Sequence, residues 1–306
     1  MLYMSSETFL SLLGIYLFIA IGFGAKWAFK EKIDDRTITL LSVYFLQIFL
    51  TFWGLLKRPI DMDLLLAPSL YLAITLMALL LMIPLSKLLF SDTKERSIAT
   101  VAALIGNTGN LGIPLGIVLF GEVSVPYLTL INLVNLFVVY TIGVFYYSRG
   151  EFSVWGSLMN ILKLPVLWAA MVAILLNLAG YRPSEAVDKT LMMGAYASMT
   201  MQLILFGIYL YGTKLKEIKV RLTAWISGTK FILIPALGWI VLANVEMESA
   251  VKGMVFLELL VPLAVANVNL ASLYNCAPRT MTVQVFITSV LFLGIALLLP
   301  TLLRMF

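Results

Sequence analysis

Ten runs of about twenty apolar residues, separated by short charged or turn-rich stretches, leave this chain few ways to fold. They cover roughly 7–28, 37–56, 64–90, 97–120, 124–147, 162–180, 189–212, 222–243, 249–275 and 281–303. Crossing ~30 Å of hydrocarbon takes about 20 apolar residues as a helix, which closes its backbone hydrogen bonds within itself. The expected fold is an all-α integral membrane protein of ten transmembrane helices. Loops such as "KEKIDDR", "KRPID", "SDTKER" and "KLKEIKVR" join them. Composition agrees, since 12% of the 306 residues are charged, against about 25% in an average soluble domain. The run following "MLYMSSE" lacks a basic leader and is long enough to span, so it reads as a retained first helix. The stretch 151–160, "EFSVWGSLMN", reads as an interfacial helix leading into span six, and no soluble domain is visible.

Charge placement reports topology. Lys and Arg number thirteen in and beside loops 1–2, 3–4, 5–6, 7–8 and 9–10, against six on the opposite side, termini included. The richer side is expected to be cytoplasmic, which puts both termini outside a plasma (cell inner) membrane. The net charge of +5 forms no continuous stripe, so nucleic acid is not an expected partner. Cys276 is the single cysteine and histidine is absent, which excludes an internal disulfide, a thiolate cluster and a histidine-ligated metal. No cofactor or metal is expected. The same facts argue against an intramembrane enzyme, because Cys–His chemistry is impossible and the aspartates are confined to loops and helix ends.

The halves resemble one another. "DDRT" at 34–37 and "VDKT" at 187–190 are 153 residues apart, and Glu95 and Glu248 share that offset. Five spans per half is an odd number, so repeats over 1–153 and 154–306 must sit inverted in the membrane, a common plan of secondary transporters.

Both repeats interrupt their fourth helix. "GNTGNLGIPLG" at 106–116 sets three small polar residues, four glycines and Pro114 inside an apolar span. In span nine, "ELLVPLAVANVNLASLYN" at 258–275 places Pro262 near the same depth. Proline cannot donate to the preceding turn, and lipid cannot satisfy freed backbone groups, so such chain survives only within protein or beside water. Where broken helices four and nine cross, half-helix N-termini suit an anion and C-termini suit a cation. The expected substrate-binding residues are Asn107, Thr108, Asn110, Pro114, Pro262, Asn267 and Asn269. The plainer alternative is close helix packing, with the asparagines as interhelical glue.

"GNTGNLGIP" and "VPLAVANVNLASLY" resemble the auxin efflux carrier family, which includes plant auxin exporters and bacterial malate or malonate permeases. "KLP" at 163–165 is similar to the family's Lys-Asn-Pro, without its asparagine, and "TKFILIP" at 229–235 is similar to a basic residue preceding a proline in span eight. The resemblance implies an elevator-type transporter with the fold of sodium/proton antiporters and bile acid symporters. Spans 1, 2, 6 and 7 would form the scaffold, and spans 3–5 and 8–10 the moving transport domain. It also implies a homodimer formed through the scaffold.

Two ionisable residues lie deep in spans, which marks them as functional candidates. Glu258, about nine residues or ~14 Å into span nine, is the candidate for a coupling H+ or Na+. Lys230, about eight residues into span eight, is a counter-charge for a carboxylate or a lysine snorkelling to headgroups. Gln47, Gln202, Asn132 and Asn135 are candidates for lining a cavity, with packing as the alternative. The reading is transport of a small organic anion across the bilayer by alternating access. The alternative is a sodium-coupled symporter of the bile acid carrier type.

Overall fold

Without water to take up backbone N–H and C=O groups, each apolar run must satisfy them locally, and helix dominates the chain accordingly. The computed structural model describes residues 6–148, 164–211, 218–303 and 306. The expected interfacial helix at 151–160, Lys163, residues 212–217 and Arg304 lie outside them. In chain order the helices are α1 Ser6–Phe29, α2 Asp35–Leu56, α3 Met62–Leu89 and α4 Thr93–Val101. There follow α5 Thr108–Phe120, α6 Glu122–Tyr147, α7 Pro165–Leu178 and α8 Glu185–Tyr211. The last four are α9 Val220–Ala243, α10 Ser249–Leu260, α11 Ala266–Leu273 and α12 Pro278–Ala296. Among the described residues seven stretches, at α1, α2, α3, α6, α8, α9 and α12, are long and apolar enough to cross a membrane. α4 with α5, and α10 with α11, are the two expected spans that arrive in pieces.

Loop aspartates start several helices by accepting from first-turn N–H groups left without an intrahelical partner. Asp34 accepts from Arg36 N–H, Asp61 from Leu64 N–H and Asp92 from Glu95 N–H. The Thr37 hydroxyl, donating to Asp34, holds that carboxyl below the usual carboxylate range. For Asp61 the Leu64 N–H does the same, helped by Arg58.

The chain divides into two compact units, and each draws segments from both halves of the sequence. The first holds residues 1–65, 109–130 and 162–212. Within it α1 runs against α8 so closely that a side chain at Gly22 would meet the Ile204 carbonyl, and one at Gly207 the Ile19 carbonyl. α2 packs on α7 and α8, and Asn177 of α7 holds the end of α2. Its Nδ2 donates to Leu55 O and Arg58 O, both at 2.6 Å, and its Oδ1 accepts from Ile60 N–H at 3.0 Å. The second unit holds residues 66–108, 131–161 and 213–306. Its core gathers Ile98, Val101 and Ile105 with Val138, Tyr147, Ile226, Leu270 and Met281. The Trp225 indole N–H ties α9 to α4 through Ala99 O at 2.9 Å.

Candidate functional site

The two interruptions lie together in the second unit. α10 ends at Leu260 because Val261 precedes a proline, whose ring disfavours helical geometry in the residue before it. Val261 is extended, at φ −54° and ψ 146°. α4 tightens into a 3-10 turn at Ala102–Leu104 and leaves the helix at Ile105, at φ −96° and ψ 88°. The two unwound stretches then pair antiparallel, with Gly106 opposite Leu263. Asn107 N–H donates to Pro262 O at 2.8 Å, and Ala264 N–H to Ile105 O at 3.0 Å. Backbone groups that neither helix can satisfy thus satisfy one another, as burial demands.

Side chains complete the accounting. Asn135 Nδ2 donates to Gly106 O at 2.9 Å and to Thr108 Oγ1 at 3.1 Å. Its Oδ1 accepts from Tyr71 OH at 3.2 Å, while Thr108 donates to Asn132 Oδ1 at 2.8 Å. Asn267 Nδ2 reaches both Ile105 O and Ala264 O at 3.1 Å, and its Oδ1 accepts from Tyr147 OH at 2.8 Å. Asn132, Asn135, Thr108 and Asn267 are therefore engaged in holding the crossing. Tyr71 and Tyr147, which the sequence reading did not single out, hold them in turn. Their only signal was that a tyrosine buried within an apolar span must find a partner for its hydroxyl.

Two buried groups at the crossing remain open. Asn107 Nδ2 has no partner, nor has either carboxyl oxygen of Glu258. Lys230 is 1% exposed and Glu258 0%, and the two attract each other without a hydrogen bond. Lys230 sits in a π-helical turn, Thr229–Leu233. Pro235 offers no N–H to the Phe231 carbonyl and crowds it, and the wider turn gives that carbonyl room. The lysine reaches the unwound strand, since a Cβ at Gly106 would stand 3.1 Å from Nζ and 3.2 Å from Val261 Cγ2. Glycine is what lets the ammonium approach the crossing backbone.

The remaining expected residues take no part in the hydrogen bonds just described. Asn269 is exposed on α11, and its side chain makes no hydrogen bond among the described residues. Asn110 and Pro114 belong to the 109–130 segment of the first unit. There Pro114 stands in the opening turn of a regular helix, Ile113–Phe120, so the true break comes earlier, at 105–107. Gln47 and Gln202 are buried in the first unit. Gln202 Nε2 donates to Ser198 at 2.9 Å and its Oε1 is unpaired.

Seven long apolar helices and an interrupted, charged crossing define a multi-pass membrane protein of the transporter class. The family model described as membrane transport protein matches residues 8–157 and again 152–300. The chain belongs to that family, the auxin efflux carriers, whose members are transporters and not enzymes. No curated protein matches it.

Proposed function

We propose that the chain carries a small organic anion, a mono- or dicarboxylate, by alternating access at the crossing of spans four and nine. The observation that carries this reading is the pair of buried groups without hydrogen-bond partners there, the Asn107 Nδ2 and the Glu258 carboxyl, beside the buried Lys230 ammonium. A buried polar group without a partner costs about 1–3 kcal/mol, and a solute carboxylate would take up both the amide and the ammonium. Asn132, Asn135, Thr108 and Asn267 hold the geometry, and Pro262 and Gly106 open it. Lys230 and an ionised Glu258 cancel, so an arriving carboxylate leaves one excess negative charge in a medium of low dielectric. A proton on Glu258 removes that excess, which makes it the coupling group.

In this reading the repeats 1–153 and 154–306 are inverted copies of five spans each. Spans 3–5 and 8–10 move as an elevator against a scaffold of spans 1, 2, 6 and 7, through which two copies dimerise. The family match and the paired interruptions support it.

The test is uptake of labelled malate and of a monocarboxylate into liposomes under a pH gradient. Asn107→Ala and Lys230→Gln should each lower uptake at least tenfold, and Glu258→Gln should abolish its dependence on pH. Undiminished uptake in both of the first two variants would remove the crossing from the mechanism.

A further inference from the structure

A separate cavity lies where α3 ends and α4 begins, wholly within the second unit. It encloses about 280 Å³, and its polar lining includes Ser86, Lys87, Arg96, Ser97, Thr100 and Tyr146. Two of these are cations, and neither is ion-paired among the described residues. The acidic neighbours are already committed: Asp92 accepts from Glu95 N–H at the start of α4, and the Glu95 carboxylate binds Lys219 Nζ at 2.6 Å. Arg96 is half-buried and Lys87 exposed, so the recess holds uncompensated positive charge at its rim and wall.

Hydroxyls line its depth. Ser86 and Thr100 hydrogen-bond to each other at 2.6 Å. Ser97 is only 7% exposed and its hydroxyl has no protein partner among the described residues. A buried hydroxyl facing a cavity beside two free cations is an open position for an anion's oxygens. The rim continues into apolar surface, because Leu80 and Leu76, one and two turns before Ile83 on the same side of α3, and Phe145 of α6 are all exposed. A polar, cationic recess joined to an exposed apolar stripe suits an amphipathic ligand.

We propose that this cavity binds the phosphate headgroup of an anionic phospholipid, whose acyl chains lie along the exposed leucines of α3. Basic pockets at the ends of membrane-spanning helices are suited to such headgroups. A zwitterionic headgroup brings its own ammonium and offsets the two cations less well. A free phosphate supplies the charge but leaves the apolar stripe uncovered. The site is independent of the crossing of spans four and nine and has a readout that does not involve transport.

Full-length protein in neutral detergent is titrated with phosphatidylglycerol, phosphatidylcholine or inorganic phosphate, while its melting midpoint is followed. Retained lipid is counted in parallel by native mass spectrometry. Phosphatidylglycerol should raise the midpoint and remain bound, and the other two should not. Lys87→Gln with Arg96→Gln should weaken the phosphatidylglycerol effect at least tenfold, whereas Lys30→Gln with Lys32→Gln, in another basic loop, should leave it intact. If the double change at Lys87 and Arg96 prevents folding, Lys87→Glu at its exposed position should produce the same weakening. An equal response to phosphatidylcholine, full protection by phosphate alone, or unaltered binding in the Lys87 variants would overturn the proposal.

Discussion

Asn107 and Asn267 stand at the two interruptions and carry the same amide, but the fold uses them differently. Asn267 reaches two backbone carbonyls and accepts a tyrosine hydroxyl, so all of its polar atoms are occupied by protein. Asn107 contributes its backbone N–H to the crossing and leaves its side-chain Nδ2 unpartnered. Removing a partner from buried groups costs about 1–3 kcal/mol, whereas deleting an amide that already lacks one costs little. Asn267→Ala is therefore expected to lower the melting midpoint clearly, and Asn107→Ala to leave it nearly unchanged while uptake falls. Thermal melting of both purified variants checks this, and equal destabilisation would show that Asn107 is also a structural clamp. Both asparagines were legible as polar residues in apolar spans. Their separate duties were not, because a sequence does not say which carbonyl an amide will reach.

Prolines decide much at the level of the element, though not always where their position alone suggests. Pro262 ends α10 through the residue before it, a short-range steric effect readable from "LLVPL". Pro114 instead tops a π-helical turn at Thr108–Gly112, and the break precedes it at 105–107. The first interruption is placed by its partner strand: Gly106 faces Leu263 there and admits Lys230. Helix ends need side-chain partners as well. Asn177 takes two carbonyls and one N–H at the end of α2, across the packing of α2 on α7. Asn177→Ala should cost about 1–3 kcal/mol and lower the melting midpoint. Asn244→Ala is the comparison, since Asn244 is exposed and its amide bonds only its own helix at Ile240 O. Equal midpoints for the two variants would mean that Asn177 does not hold the end of α2.

For the whole molecule, the asymmetry of Lys and Arg between alternate loops predicts orientation. The single cysteine, Cys276, is buried, so introduced cysteines report against a quiet background. Glu246, between α9 and α10, and Glu31, after α1, are both exposed. In intact cells a membrane-impermeant maleimide should label Glu246→Cys, and Glu31→Cys only after permeabilisation. The reverse pattern would invert the topology and place both termini in the cytoplasm.

The apolar runs by themselves determined that the chain is helical and bound for a membrane, because a lipid-exposed backbone has no other way to satisfy its polar groups. The sequence also pointed to residues 106–116 and 258–275 as irregular, since glycine, proline and clustered asparagine act over a few residues. Tertiary structure decided the pairing of Gly106 with Leu263, the burial of Lys230 with Glu258, and the outward position of Asn269. Helix faces that meet lipid and faces that meet protein are both apolar here, so periodicity in the sequence cannot tell them apart. Which buried polar groups found partners, and which were left without one, was settled only when the helices packed.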